Sequence, residues 1–533
     1  MIDSRLLDDS LIDQPVPEPQ VLPSEVARNL VSGTSTLGLG VIIERGCGFL
    51  SNILAARLGG ASTFGAYSLA ISTANNVSTY AAGGIGSTAI RFSGEYPRGS
   101  AEYPVLARAL AVVALVSAAL ATCTLWLGAG PLSKLIDKAS LIGILRWAGF
   151  SAAGIIILEC CRGFFVGQRR LRALICLSGM VGIGMLAVLP LAAHFGPAAM
   201  LCGQSSLLVG AVLVCLLLYR PLQLASPVPR DRSTPVAFLL KRVWSFSLMQ
   251  IAGLVGMNIA GWWLTSLVAK GDQTMVQMSF FAVAHQLRNM VALVPTLLIE
   301  GSFAEMTEGK GKLENTPDNV MAVCTFASIL LSLAVAGAGI IIVPWLLTLM
   351  YGKTYAGAAA ATALALATAV IHMGSGAASS RVSIVSIKAY GVVNTGWALF
   401  VAVASTVFLL HGGNAVRGAG VYLAAHLLSA CLFIGILKKR GNVAQGLIPA
   451  LALGGGAVVL LALLSVLRQT MPALTAVTTL GMLGSWALAS WLLIRLGRSK
   501  NWLPSPQLIV RLLGRLHSSL RGRGDSRRRR NRS

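Results

Sequence analysis

Three polar side chains in one apolar stretch of the chain could act on a single ligand. His285, Arg288 and Asn289 are spaced i, i+3 and i+4, so a helix would place them on one face. If this stretch crosses a membrane, Arg288 lies near the middle of the bilayer, where a guanidinium requires a carboxylate, backbone carbonyls or an anionic ligand. A planar guanidinium can bond two oxygens at once, so Arg288 suits a phosphate group.

A second pair of charges lies in the first long apolar stretch. Glu44 and Arg45 are adjacent, and neighbouring helical residues diverge by about 100°, so their side chains point to different faces. One interpretation is that Arg45 and Arg288 line a hydrated cavity for an anion, with Glu44 or His285 as candidates for a coupling proton. The structural alternative is a salt bridge from Glu44 to Arg288 between two helices.

Neutral polar residues are concentrated in the same few stretches, and we expect them to line the same cavity. The predicted substrate-binding set is Arg45, Asn75, Asn76, Asn258, Arg288 and Asn289. His372 and His426 stand alone in their stretches, so they are interpreted as core residues. The chain has no GxxxxGK[ST] phosphate loop and no HExxH motif. The sequence therefore predicts no catalytic residue, no metal and no cofactor.

Apolar stretches must position these residues, and they indicate a polytopic membrane protein. The chain has 533 residues, of which 55% are hydrophobic and 12% charged, and each span of a bilayer needs roughly 20 apolar residues. We predict about fourteen transmembrane helices in an all-α fold, with two six-helix bundles around a central cavity and two further C-terminal helices. The predicted spans are 31–57, 63–89, 105–129, 147–167, 172–195, 197–219, 243–269, 275–300, 320–350, 355–377, 390–410, 418–437, 446–466 and 472–494.

The largest central loop separates six predicted spans from six, which suggests two bundles joined by a linker. Residues 131–145 are predicted to lie at the membrane interface as an amphipathic segment. The predicted organisation is an acidic disordered cytoplasmic tail (1–30), an N-terminal bundle (31–219), a basic cytoplasmic linker (220–242), a C-terminal bundle (243–437), two extra helices (446–494) and a basic cytoplasmic tail (495–533).

The distribution of charge predicts the orientation in the membrane. Lys and Arg outnumber Asp and Glu by 43 to 19, and most of them fall in the tails and in alternate loops. Because cytoplasmic loops are enriched in Lys and Arg, we predict a multi-pass protein of the inner membrane with both termini in the cytoplasm. This explains the net charge of +24 without nucleic acid as a partner. The basic C-terminal tail could attract anionic membrane lipids or serve only to retain that end inside.

One segment carries a family resemblance. Residues 52–70 read Asn-Ile-Leu-Ala-Ala-Arg-Leu-Gly-Gly-Ala-Ser-Thr-Phe-Gly-Ala-Tyr-Ser-Leu-Ala. This segment resembles the first loop of bacterial lipid-linked oligosaccharide flippases, which are polysaccharide transporters of the multidrug/oligosaccharidyl-lipid/polysaccharide exporter superfamily. Residues 84–95 and 162–169 are similar to the ends of that family's second and fourth spans.

The resemblance implies a V-shaped pair of bundles whose cavity is lined by spans one, two, seven and eight. It implies flipping of an undecaprenyl-pyrophosphate-linked oligosaccharide to the periplasmic leaflet for exopolysaccharide or surface polysaccharide export. Alternating access would be driven by ions or membrane potential rather than ATP. Expected partners are the lipid-linked oligosaccharide, membrane lipids, and a polysaccharide polymerase with its export machinery. In this family cavity arginines hold the pyrophosphate, a role that the resemblance suggests for Arg45 and Arg288.

Two alternatives remain open. A multidrug or cation antiporter of the same superfamily would favour acidic residues in its cavity. A membrane glycan polymerase or ligase would carry a substantial outer loop with catalytic arginines or carboxylates. The longest predicted outer loop is 131–145, where Asp137 is the only carboxylate.

Overall fold

Long α-helices make up the computed structural model, which describes residues 23–82, 84–96, 100, 102–219, 255–308, 317–441, 443, 446–500 and 502. No strand occurs in these residues, and eleven of their helices are long and apolar enough to cross a membrane. The predicted all-α membrane fold is therefore confirmed. The helices are α1 (Pro23–Ala82), α2 (Ile85–Glu95), α3 (Tyr103–Ile136), α4 (Leu141–Gly167), α5 (Leu171–Ala193), α6 (Pro197–Tyr219), α7 (255–270), α8 (Val276–Glu308), α9 (Pro317–Tyr351), α10 (Ala359–Val385), α11 (Ile387–Leu409), α12 (Ala415–Lys439), α13 (Leu447–Thr470) and α14 (Thr475–Ser499).

Helix α1 contains the first predicted span and most of the second, joined at a glycine. Gly60 has φ 78° and ψ 167°, a backbone conformation that is open to glycine because it has no Cβ. This residue divides α1 into a first arm (23–59) and a second arm (61–82). Gly84, at φ 69°, then separates the second arm from α2. The second predicted span is thus shared between two helices.

The prediction of an interfacial segment at 131–145 is wrong. Helix α3 continues through Pro131 to Ile136 and ends where Asp137 adopts a left-handed φ of 60°. Ser133 and Ile136 are both buried, so this end of α3 packs on protein rather than lying on a membrane surface. The predicted break between the fifth and sixth spans is confirmed at Gly196, which has φ 96°.

The helices pack in two groups. Helices α1–α6 pack on one another and form the N-terminal group, whereas α8–α14 form the C-terminal group. Helix α10 is central to the second group and contacts α8, α9, α12 and α13. Its alanine-rich sequence leaves short side chains that allow such close approach. The predicted linker and the greater part of both predicted tails lie outside the described residues.

The two groups meet beside Gly60, on the side predicted to face outward. Arg57 donates from Nη1 to the carbonyl oxygen of Leu349 at 3.3 Å, and the Tyr355 hydroxyl donates to the carbonyl oxygen of Ala56 at 3.4 Å. Gly65 lies so close to α8 that a Cβ there would collide with the carbonyl oxygen of Met275. The second arm of α1 therefore packs backbone to backbone against the start of α8.

Gly65→Ala should disrupt the contact between the second arm of α1 and the start of α8. We expect a loss of about 1–3 kcal/mol in the free energy of unfolding, because an added methyl in a tight contact displaces the backbone. The measurement is thermal unfolding of the purified protein in detergent. Gly46→Ala is the matched control, since a Cβ at Gly46 on the same helix meets nothing within 4 Å. Equal melting of the two variants would contradict the close contact.

Candidate substrate cavity

Three cavities follow one another along the second arm of α1. Their volumes are about 700, 430 and 270 Å³, and we call them the charged, middle and aromatic cavities. Asn75 lines both the charged and the middle cavity. Ser68, Ser72, Asn76 and His285 line both the middle and the aromatic cavity. The shared residues make the three cavities direct neighbours along α1.

The charged cavity lies within the N-terminal group and contains two acids and two arginines. Arg162 on α4 donates to the Glu159 carboxylate at 2.9 Å and forms a second ion pair with Glu44 on α1. Glu159 and Arg162 are spaced i, i+3 and so lie on one face of α4. The alternative salt bridge from Glu44 to Arg288 is not formed, because Glu44 is bound by Arg162.

Arg45 is the remaining cation of the charged cavity. Its side chain is exposed and lines the cavity, and no described carboxylate lies within salt-bridge distance of it. Glu44 and Arg45 are adjacent on the helix, and both line this cavity. Among the described residues, this cavity therefore offers one guanidinium without an ion-pair partner, while Arg162 binds both carboxylates.

Glycines bring the charged residues together. A Cβ at Gly163 on α4 would collide with the carbonyl oxygen of Gly86 on α2, and a Cβ at Gly182 on α5 would lie 3.0 Å from the Cα of Glu44. Such contacts let helix backbones approach closely. Arg162 therefore reaches Glu44 where the four helices α1, α2, α4 and α5 pack closely, an arrangement that the sequence alone did not reveal.

The middle cavity lies between the two helix groups and includes the family-like segment. Phe64 and Tyr67 line it, and the Tyr67 hydroxyl donates to Oε1 of Gln204 at 2.7 Å. Gln286 on α8 donates from Nε2 to the carbonyl oxygen of Phe49 at 3.0 Å. Asn289 also lines this cavity and is exposed.

The aromatic cavity is enclosed by α1, α7, α8 and α12. Asn76, Asn258, Trp262 and Tyr422 line it. The Trp262 indole donates to Oγ1 of Thr73 at 3.0 Å, which fixes the ring across the seam between α7 and α1. Asn258 and Asn76, which come from separate predicted bundles, thus face one space.

Arg288 lies behind the aromatic cavity and is absent from the linings of all three cavities. Its Cζ atom is 4.9 Å from the centroid of the Tyr422 ring, a distance typical of cation–π contact. Its Nη1 is buried and has no hydrogen-bond partner among the described residues. All the other predicted site residues line the cavities, and the substrate-binding role of the set stays a prediction.

Histidines that appear isolated in the sequence lie together around Tyr422. Ring centroids are 4.9 Å apart for His285 and Tyr422, 4.8 Å for Tyr422 and His426, and 4.6 Å for His372 and His426. The interpretation of His372 and His426 as single residues is therefore wrong, because packing of α10 on α12 makes them neighbours. Within the described ranges, no three His, Cys, Asp or Glu side chains are placed to hold a metal ion.

The sequence also matches a family model described as polysaccharide biosynthesis protein, over residues 30–299. The protein belongs to this family. The match covers about half of the chain, including α1–α6 and most of the residues that line the three cavities. The family resemblance predicted from the 52–70 segment is thereby confirmed, and a comparison with curated proteins found no match.

Solved structures place this polysaccharide biosynthesis protein among flippases and transporters by fold. A structure of the lipid II flippase MurJ, in an inward closed conformation, matches with a TM-score of 0.61 and 12% identity, covering 87% of this chain and 99% of that one. An inward-facing multidrug resistance MATE family transporter matches with a TM-score of 0.55 and 16% identity, covering 75% and 95%. At these identities the likeness shows a shared fold alone.

Arg162→Met should destabilise the N-terminal group. The substitution leaves Glu44 and Glu159 without their cation, and we expect a loss of about 1–3 kcal/mol because the site is only partly open to solvent. Glu159→Gln is the comparison, with an expected loss below about 1 kcal/mol, since its carboxylate is 49% exposed. Unfolding in detergent measures both. Equal losses would show that Arg162 is not the shared partner of the two acids.

Proposed function

We propose that this protein flips an undecaprenyl-pyrophosphate-linked oligosaccharide across the inner membrane by alternating access, for exopolysaccharide or surface polysaccharide export. The observation that carries the proposal is Arg45, a guanidinium open to a cavity of about 700 Å³ whose carboxylates are both bound by Arg162. Arg45 has no ion-pair partner among the described residues, although the two arginines and two carboxylates of the cavity balance in formal charge. A guanidinium in this situation can pair with phosphate oxygens in a two-pronged geometry. The pyrophosphate would therefore bind at Arg45.

The position of the cavity supports loading from the cytoplasm. In the predicted orientation, with both termini cytoplasmic, the charged cavity lies toward the inner end of the N-terminal group. The contacts of Arg57 with Leu349 and of Tyr355 with Ala56 close the opposite side. Both contacts end on neutral carbonyl oxygens, and hydrogen bonds of this kind contribute only about 1 kcal/mol each. They are only part of the closure, because the second arm of α1 also packs backbone to backbone against the start of α8 beside Gly65.

Arg288 has a different proposed part in the same function. It contacts the face of Tyr422 rather than the cavities, so it would hold that ring in place and add positive potential behind it. Its unpartnered Nη1 leaves one donor for water or for a phosphate oxygen during the cycle. Arg45 is thus our proposed cation for the pyrophosphate in this conformation, and Arg288 is the proposed cation for another stage of the cycle.

For a coupling proton, the geometry favours His285 over Glu44. Glu44 is held by Arg162, whereas His285 lines two cavities and its Nε2 has no partner among the described residues. The binding of both carboxylates in the charged cavity also argues against a multidrug or cation antiporter. The proposed partners are the lipid-linked oligosaccharide, the surrounding membrane lipids, and a polysaccharide polymerase with its export machinery.

Arg45→Ala should reduce glycan export at least tenfold, because it removes a charge-assisted hydrogen-bonding group worth about 1.5–3 kcal/mol. Lipid-linked precursor should then accumulate on the cytoplasmic side. Surface polysaccharide and precursor are measured in a strain that depends on the protein. Arg45→Lys should keep part of the activity, since it retains the charge without the planar fork.

Arg146→Ala provides the matched control. Arg146 lies over the Trp126 ring at 5.4 Å, outside the three cavities, and its removal should leave export within twofold. If Arg45→Ala also supports normal export at normal protein level, the pyrophosphate does not depend on Arg45.

A further inference from the structure

The middle and aromatic cavities differ in chemistry from the charged cavity beside them. None of the described residues that line them is an Asp, Glu, Lys or Arg. Both cavities are lined by amide and hydroxyl groups together with aromatic rings. The hydrogen-bonding groups are Ser51, Asn52, Tyr67, Ser68, Ser72, Asn75, Asn76, Gln204, Asn258, Thr265, His285, Gln286 and Asn289, and the further aromatic residues are Phe64, Trp262, Phe281 and Tyr422.

Several of these amides are unoccupied. The side chains of Asn52, Asn258 and Asn289 make no hydrogen bond to the described residues, and none of them is fully buried. In a membrane interior, a polar group without a partner costs several kcal/mol. These amides must therefore face water or the polar groups of a ligand.

Other amides in the same walls are held rigidly. Gln204 accepts from Tyr67 at 2.7 Å, Gln286 donates to the carbonyl oxygen of Phe49 at 3.0 Å, and Asn76 donates to the carbonyl oxygen of Ser72 at 3.1 Å. The walls thus combine a fixed frame with free donors and acceptors. A frame of this kind recognises a neutral ligand with many hydroxyl groups, because each free amide offers both a donor and an acceptor.

We propose that the middle and aromatic cavities bind the sugar residues of the transported lipid, while its pyrophosphate stays in the charged cavity. Hydroxyl groups of the sugars would pair with Asn52, Asn258 and Asn289, and the apolar faces of the rings would lie against Trp262 and Tyr422. The absence of charge from both linings fits a sugar portion without strong charge. This inference rests on the proposed function and gives the substrate a direction, with its phosphates toward the N-terminal group.

Two lipid probes separate the sugar subsite from the phosphate subsite. One probe is undecaprenyl pyrophosphate without sugar, and the other is the same lipid carrying the oligosaccharide extracted from the producing cells. Binding of each to the full-length protein in lipid nanodiscs is measured for the wild type and for variants. Removing Asn258 and Asn289 together (Asn258→Ala with Asn289→Ala) should weaken the sugar-bearing probe about tenfold and change the bare lipid by less than twofold.

Arg45→Ala should weaken both probes to a similar extent, because both carry the pyrophosphate. Asn394→Ala is the matched control, since Asn394 on α11 lies outside the three cavities and should change neither probe. Melting temperatures check folding. If the double variant melts lower, Asn52→Ala repeats the test in the middle cavity, because its side chain also lacks a described partner.

These results distinguish failure of the sugar subsite from failure of the proposed function. If the double variant weakens both probes equally, or weakens neither, the sugar subsite is overturned while the proposed function stands. If neither probe binds the wild-type protein, the proposed function itself fails, and the sugar subsite fails with it.

Discussion

The structure depends on one constraint, which is that polar groups inside a membrane must find partners. Arg162 meets this constraint for two carboxylates at once, by binding Glu44 from a neighbouring helix and Glu159 from its own. Arg45 is then left as the cation of the charged cavity without a described counter-charge. The ion pairs that stabilise the N-terminal group thus also leave Arg45 as the unpaired guanidinium on which its proposed function rests.

Charged and neutral polar side chains line different cavities. Charged side chains of the linings lie in the N-terminal group, where glycines such as Gly163 allow helices to approach closely. Amides and aromatic rings lie where the two groups meet, and Tyr422 is held there between Arg288 and His285. The charged and neutral cavities therefore suit the charged and uncharged parts of the proposed lipid head group.

The sequence predicted what depends on local pattern. Apolar stretches predicted the helices, and Gly196 marked a break that the structure confirms. The ion pair of Arg162 with Glu44 was not predicted, since the two residues are distant in sequence and meet only through helix packing. The pairing of His372 with His426 was missed for the same reason. Residues 131–145 were assigned to the membrane interface because Lys134, Asp137 and Lys138 lie between apolar residues, whereas residues 131–136 continue α3 and α4 begins at Leu141.

The first arm of α1 is one continuous helix that both lines the charged cavity and contacts the C-terminal group. Arg45 faces the charged cavity, and Ala56 and Arg57 make the closing contacts with Tyr355 and Leu349. A rise of about 1.5 Å per residue puts Arg45 and Arg57 about 18 Å apart along the helix axis. Since the nearest break is at Gly60, a tilt of this arm at one end must displace the other. An anion that displaces Arg45, as proposed, would therefore also strain the hydrogen bonds at Ala56 and Arg57.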